Sequence, residues 1–262
     1  MAARHHDRRG TDDAGARTPP GPGARGRLVL IPGFPAPGVD VAELTVIRHG
    51  QSLSNELLIA ANKQGISSVS GLPARDADVP LSARGEREAA AVGRWAAGLE
   101  NPPDLVIASP YLRAQLTAQA AVDALGGGVE FRLDDRVRDR EIGVLTLMTE
   151  AAVRAAYPDE VKRWEETGFL YYRPPGGESH SDMAIRLRSF LTDLGRYASG
   201  RRVLVVAHDS VVVMLRYVIE GLVEDDVQAI ARAGGIKNAS VTRWEWDGSA
   251  LGLTLFNDIQ HL

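Results

Sequence analysis

The 262-residue chain contains no cysteine. That absence excludes disulfide bonds, thiolate metal sites and a cysteine nucleophile, and it fits a reducing compartment. No apolar run approaches the roughly 18 residues that cross a membrane, and residues 1–26 lack the apolar core of a secretory signal peptide. The net charge of -4 is opposite to that of a general nucleic-acid binder. We therefore expect a cytoplasmic protein that binds neither membranes nor nucleic acid.

The composition is that of a globular protein, apart from the N-terminal segment. Hydrophobic residues make up 44% of the chain and charged residues 24%, and the length suffices for one large α/β domain or two small ones. Residues 1–40 are rich in glycine, proline and arginine and include the run 19–22, Pro-Pro-Gly-Pro. Such a segment buries too little apolar surface to offset its ordering entropy. We predict a disordered, dispensable extension over 1–40 and a folded domain over 41–262.

Strand and helix patterns alternate along that domain. Short apolar runs typical of buried strands end at residues 47, 108 and 207, and helical periodicity appears over 83–99, 180–198 and after the third run. A weaker strand candidate covers Val129–Leu133, and two late strands, Val241–Trp246 and Leu251–Phe256, flank an Asp-Gly turn signal. Alternation of this kind predicts a three-layer α/β/α sandwich with a mostly parallel sheet and helices on both faces.

The most informative segment is the end of the first apolar run, where Arg48-His49-Gly50 follows directly. A glycine here allows a sharp backbone turn, since it has no Cβ. The imidazole and the guanidinium then lie at the C-terminal end of a strand, where open α/β sheets bind their ligands. A histidine beside an arginine fork suggests a nucleophile that acts on an anion, most simply a phosphate.

Two other strand ends carry the same chemistry. The second run leads into Ser109 and a helix whose first turn holds Arg113, and the third leads into His208. The C-terminal ends of parallel strands share one edge, so these side chains should converge with Arg48 and His49. Helix N-termini expected near Pro110 and Ser210 would add free N–H groups. The pattern predicts a binding site for a phosphate dianion.

The same residues carry a resemblance to a known family. The chain resembles the histidine phosphatase superfamily, the phosphoglycerate mutase-like proteins, over about residues 43–246. The segments that carry it are Arg48-His49-Gly50 with Ser52 and Asn55, Pro80-Leu81-Ser82-x-x-Gly85, Ser109-Pro110-x-x-Arg113-x-x-x-Thr117, Gly177-Glu178-Ser179 and Val203–His208.

The resemblance implies a metal-independent phosphomonoesterase of the histidine acid phosphatase type. His49 would attack phosphorus and form a phosphohistidine. Further residues would bind the phosphoryl oxygens, and the resemblance points to Arg48, Gly50, Ser52, Asn55, Arg113 and His208. No metal or other cofactor is expected, because the arginines supply the positive charge. A carboxylic acid would protonate the leaving oxygen and later activate water.

Two carboxylates compete for that acid role. Counting back from Gly143 places Asp139 at the family's glutamate position, but aspartate is one methylene shorter. Glu141 lies two residues on and points to the same side of an extended segment. Asp209, where relatives carry a small residue, is expected to cap the helix that begins at Ser210. His180 is expected to be solvated.

Three functions stay open on the sequence. Phosphatases and phosphoglycerate mutases share the histidine and arginine set, and some relatives are catalytically weak phospho-ligand-binding regulatory modules. A mutase needs additional basic groups for a second phosphate, whereas residues 145–176 mix basic with acidic side chains. We therefore favour a phosphatase that acts on a small phosphorylated substrate. The sequence indicates neither that substrate nor an oligomeric state.

Overall fold

The computed structural model describes residues 38–262. Most of the predicted extension, residues 1–37, lies outside the described residues. The strands are β1 (Glu43–Arg48), β2 (Leu105–Ala108), β3 (Glu130–Leu133), β4 (Arg202–Ala207), β5 (Val241–Trp246) and β6 (Leu251–Asp258). The helices are α1 (Leu53–Lys63), α2 (Ala83–Ala97), α3 (Leu112–Ala124), α4 (Glu150–Ala156), α5 (Pro158–Thr167), α6 (His180–Ala198), α7 (Asp209–Glu220) and α8 (Glu224–Arg232). Short 3₁₀ turns lie at Asp76–Asp78, Asp135–Val137 and Gly143–Leu145.

One sheet organises these elements, in the order β3-β2-β4-β1-β5-β6. Strands β3, β2, β4 and β1 pair in parallel, while β5 and β6 add an antiparallel edge. The β5–β6 connection closes where Asp247 N donates to the Ala250 carbonyl at 3.1 Å, around a Gly248 with φ of 101°. The mostly parallel sheet predicted from the alternation is confirmed.

Two hydrophobic cores lie on opposite faces of the sheet, which makes the three layers. In the central strands, side chains alternate between them. Val203 and Val205 of β4 pack in the core built with α6 and α7, whereas Leu204 and Val206 pack in the core built with α2 and α3. This alternation follows from the period of two in a β-strand, and burial on both faces explains why these strands read as continuous apolar runs.

Two helix starts differ from the sequence prediction. Helix α3 begins at Leu112 rather than near Pro110, and α7 begins at Asp209 rather than Ser210. His208 therefore holds the N-cap position of α7, and the expectation that Asp209 caps this helix is wrong. The Asp209 carboxylate instead accepts from Ser210 N at 2.8 Å and lies 4.0 Å from Arg48 Nη2.

The core begins before the predicted domain boundary. Val39 is 3% exposed and packs in the same core as Val41. Asp40 accepts hydrogen bonds from Gly200 N at 2.9 Å and from Ser199 Oγ at 2.7 Å. Helix α6 ends against this segment.

No helix within residues 38–262 is long and apolar enough to cross a membrane.

Candidate active site

Three neighbouring strands bring the predicted residues together. In the sheet, β4 lies between β1 and β2, and the register pairs Arg48 with Ala207 and Ala108 with Val206. The residues just past these ends are His49, Ser109 and His208, so all three reach the same edge. Helix α3 starts three residues after Ser109 and adds Arg113. The convergence predicted from the strand ends is present.

His49, the predicted nucleophile, is buried as a neutral imidazole. Its ring is 2% exposed, and Nδ1 lies 2.6 Å from the Gly50 carbonyl. A carbonyl can only accept, so Nδ1 donates and Nε2 carries the lone pair. Burial lowers the pKa of His49 well below its usual value, and the nearby His208, Arg113 and Arg48 lower it further.

His208 packs against His49. The two imidazole centroids lie 5.1 Å apart, edge to face, and His208 has no exposed surface. Its Nε2 lies 2.8 Å from Ser109 Oγ, which fixes the ring. Its Nδ1 lies 3.3 Å from Asp139 Oδ2, without the geometry of a hydrogen bond.

Arg113 uses all five of its N–H groups inside the protein. Nε donates to His49 Nε2 at 3.3 Å. Nη1 donates to the Asp76 carbonyl at 2.7 Å and to Asp76 Oδ1 at 3.2 Å. Nη2 donates to Asp76 Oδ2 and to Asp139 Oδ2, both at 3.0 Å. A substrate oxygen must therefore displace one of these acceptors to reach Arg113.

Two buried nitrogen atoms of the site lack a hydrogen-bond partner within residues 38–262. They are Arg48 Nε and His208 Nδ1. Arg48 is anchored from behind, since Nη1 donates to the Ile236 carbonyl. Buried polar groups without a partner are rare in folded proteins and call for an explanation. Both residues lie around His49, so an anion bound there would supply the acceptors.

Gly50 has a steric role that differs from the predicted turn. Its φ is not positive, but a Cβ at Gly50 would lie 2.5 Å from the Gly85 carbonyl oxygen. A Cβ at Gly85 would lie 1.9 Å from the Gln51 carbonyl oxygen. The two glycines thus let the loop after β1 and the start of α2 touch backbone to backbone. Gly50 N donates to Thr117 Oγ1 at 3.1 Å, which engages this amide inside the protein instead of with a substrate.

Ser52 and Asn55 form a reciprocal cap at the start of α1. Ser52 Oγ accepts from Asn55 N at 3.1 Å, and Asn55 Oδ1 accepts from Ser52 N at 3.3 Å. Ser52 is fully buried, so its position favours helix capping over the predicted contact with substrate. Asn55 is partly exposed, and its Oδ1 also accepts from Asn238 Nδ2 at 3.2 Å. Its amide stays a predicted substrate ligand.

The two carboxylates proposed as the acid occupy different places. Asp139 lies beside His208 and accepts from Ser210 Oγ at 2.7 Å as well as from Arg113. Burial opposes its ionisation, but the charges of His208 and Arg113 outweigh that effect and hold the pKa of Asp139 well below its usual range. Glu141 is 46% exposed and accepts from Tyr111 Oη at 2.7 Å. The geometry favours Asp139.

Sequence reasoning missed several members of the site. Asp76 sits in the 3₁₀ turn before α2, far from any recognisable pattern, and nothing in the sequence connects it with Arg113. Ser210 comes shortly after β4, and only the folded structure shows that its hydroxyl lies beside the Asp139 carboxylate. His180, expected to be solvated, is 6% exposed, stacks on Phe169 at 4.0 Å and donates from Nδ1 to that residue's carbonyl. Burial lowers the pKa of His180 to about 4.

Across residues 38–262, no group of three or more histidines and carboxylates is arranged to hold a metal ion.

This chain is similar in sequence to known proteins. A family model of the histidine phosphatase superfamily (branch 1) matches residues 44–259. A glucosyl-3-phosphoglycerate phosphatase of Mycolicibacterium vanbaalenii is 31% identical over 207 residues, which cover 76% of this chain and 82% of that protein. A 2,3-bisphosphoglycerate-dependent phosphoglycerate mutase of Methylorubrum extorquens is 31% identical over 163 residues, covering 61% of this chain and 76% of that protein.

Solved structures show the same fold. A mycobacterial glucosyl-3-phosphoglycerate phosphatase in complex with inorganic phosphate superposes with a TM-score of 0.65 at 25% identity, covering 85% of this chain and 100% of that one. A putative α-ribazole-5'-P phosphatase from Escherichia coli superposes with a TM-score of 0.68 at 19% identity, covering 83% and 97%.

Proposed function

Because this chain belongs to the histidine phosphatase superfamily, we propose that it is a metal-independent phosphomonoesterase with a phosphohistidine intermediate on His49. Relatives include both phosphatases and mutases, so the coarser activity is phosphoryl transfer. One observation carries the proposal. The lone pair of His49 Nε2 lies among Arg113, Arg48 and His208, and two of these residues keep a buried nitrogen without a partner in the described part of the chain.

The reaction follows from these positions. His49 Nε2 attacks phosphorus, the N–P bond forms and the ester P–O bond breaks. Arg48, Arg113 and His208 stabilise the negative charge on the phosphoryl oxygens. Asp139, in its acid form, gives its proton to the leaving oxygen. In the second step Asp139 takes a proton from water, the water oxygen attacks phosphorus, and the N–P bond breaks to release phosphate and restore His49.

The ion pairs formed by the basic side chains of residues 145–176 favour hydrolysis over mutase activity. A mutase must hold a second phosphate, which requires cations that are not already neutralised. Each basic side chain of this segment has a carboxylate partner. The pairs are Arg154–Glu150 at 2.6 Å, Lys162–Glu166 at 3.7 Å, Arg163–Glu160 at 2.7 Å and Arg173–Asp182 at 2.5 Å. We therefore expect a small substrate with one phosphate group.

Mutase activity is the second candidate, because a phosphoglycerate mutase is among the relatives. Hydrolysis of p-nitrophenyl phosphate with EDTA present, compared with His49→Ala, tests the phosphatase directly. Activity that survives EDTA and disappears in the variant supports it. Conversion of 3-phosphoglycerate to 2-phosphoglycerate faster than release of phosphate would identify a mutase instead. If the folded protein shows neither hydrolysis nor mutase activity, a phospho-ligand-binding module is favoured.

The cytoplasmic location expected from the sequence stays a prediction.

A further inference from the structure

The candidate phosphate pocket contains more carboxylates than arginines. Arg113 is paired with Asp76 and Asp139, each at 3.0 Å, and Arg48 lies 4.0 Å from Asp209. Among the described residues, two guanidinium groups and the His208 imidazole therefore face three carboxylates. A phosphate monoester brings almost two further negative charges at neutral pH. The pocket can accept that dianion readily only if one carboxylate loses its charge or withdraws.

Asp139 is the carboxylate that a bound anion must replace. Its Oδ2 lies 3.0 Å from Arg113 Nη2 and 3.3 Å from His208 Nδ1, which are two of the groups expected to bind phosphoryl oxygens. Asp76 instead accepts three hydrogen bonds from Arg113, through both carboxylate oxygens and its backbone carbonyl, so Arg113 holds it more firmly than it holds Asp139. The Asp209 side chain is 51% exposed, so water screens it.

We propose that the Asp139 carboxylate lies where a phosphoryl oxygen of the substrate binds, and that binding of a phosphate dianion displaces it and leaves it protonated with one proton from solvent. This inference rests on the proposed function and deepens it. The proton taken up on binding is the one that Asp139 then gives to the leaving oxygen. Binding of the substrate thereby protonates Asp139 before the chemical step.

The surroundings of Asp139 explain why its protonation follows its displacement. In the structure, Arg113, His208, the Ser210 hydroxyl and the Arg140 N–H, at 2.8 Å from Oδ1, favour the carboxylate, and its pKa is correspondingly low. Arg186 of α6 touches only its backbone carbonyl, at 3.3 Å. A dianion that takes over Arg113 and His208 removes two favourable partners and adds a like charge. Both changes raise the pKa of a carboxyl group.

Sulfate is a suitable probe, because it stays a dianion from pH 5.5 to 8 while phosphate titrates in that range. Its dissociation constant is measured by isothermal titration calorimetry on the full chain, without any turnover. Uptake of one proton makes the constant rise tenfold per pH unit. Titrations in two buffers of different ionisation enthalpy count the protons directly, and we expect one per sulfate at pH 7.

Asp139→Asn tests the assignment, since asparagine keeps the shape and removes the titration. We expect its sulfate affinity to be independent of pH between 7 and 8, and at pH 8 at least tenfold tighter than that of the wild type. Asp209→Asn is the matched variant in the same pocket. It should tighten sulfate at every pH and keep the unit slope. Circular dichroism and thermal melting verify that both variants are folded.

Several outcomes would overturn the inference. One is a wild-type affinity without pH dependence, and another is a unit slope that persists in Asp139→Asn, which would assign the proton to a histidine. Failure of sulfate to bind at any pH would also contradict it. These results are separable from the proposed function, because hydrolysis that requires His49 can occur without coupled proton uptake. Conversely, coupled sulfate binding without hydrolysis would sustain the inference and refute the phosphatase.

Discussion

Substitution of Gly85 by alanine probes the backbone contact between the start of α2 and the loop after β1, which carries His49. Gly85 lies in the first turn of α2, where its N–H donates to the capping hydroxyl of Ser82 at 3.2 Å. A Cβ on this residue would lie 1.9 Å from the Gln51 carbonyl oxygen and 2.9 Å from Gln51 N. Real Cβ contacts essentially never fall under 3.0 Å. The backbone of Gln51 must therefore move by about 1 Å, and it lies two residues from His49.

The expected losses follow from that displacement. A misplacement of about 1 Å at reacting groups costs on the order of 100-fold in rate, so kcat should fall by about that factor. Overpacking of a tight interior contact costs about 1–3 kcal/mol of the free energy of unfolding. For a domain of this size each kcal/mol lowers the Tm by roughly 2–4 °C. Rate and stability should fall together in Gly85→Ala.

Gly98→Ala is the matched control, because Gly98 ends the same helix. A Cβ there would have its nearest neighbours at 3.4 and 3.6 Å, which is ordinary contact, and its φ is -87°. This variant should keep the wild-type kcat and a Tm within a few degrees of wild type. The assay is aryl phosphate hydrolysis beside a thermal melt. A Gly85→Ala protein with wild-type kcat and Tm would refute the reasoning, as would equal damage from both substitutions.

Three further predictions concern the acid, the nucleophile and the domain boundary. Asp139→Asn should lower kcat by about 10²–10⁴-fold on an alkyl phosphate and much less on an aryl phosphate, whereas Glu141→Gln should have a small effect on both; the reverse order would make Glu141 the acid. Because burial lowers the pKa of His49 in the free protein, kcat/KM on an aryl phosphate should not fall tenfold between pH 6.5 and 5.5, and such a loss would contradict a neutral buried nucleophile. Deleting residues 1–40 removes the buried Val39 and should lower the free energy of unfolding by about 1.5–3 kcal/mol relative to deleting 1–37; equal melting temperatures would show that Val39 contributes nothing.

The strands and the convergence of the site were predictable from the sequence. Buried parallel strands appear in the sequence as continuous apolar runs. The residues after β1, β2 and β4 meet because parallel strands end at one edge of the sheet. Arg48, His49, Arg113 and His208 needed no more than that rule. Helix starts were less predictable, since the loop after β2 takes two more residues than expected before α3 begins at Leu112.

The charge balance of the pocket was not predictable. Asp76 comes from a 3₁₀ turn in a segment without periodic pattern, so its contact with Arg113 depends on a loop path that only the folded chain defines. The sequence predicts a turn at Gly50, and it does not show the backbone contact with Gly85, which is 35 residues away. It predicts a substrate ligand at Ser52, because hydroxyl groups cap helices and bind anions alike; burial assigns Ser52 to the cap.

The most direct test of the account is to trap the covalent intermediate. The protein is mixed with p-nitrophenyl phosphate, quenched at alkaline pH within the first turnovers and digested, and the phosphorylated residue is located by mass spectrometry. The account predicts an acid-labile phosphoryl group on His49 and none in His49→Ala. Phosphate found on another residue, or full hydrolysis by the variant, would contradict the assignment of His49 as the nucleophile.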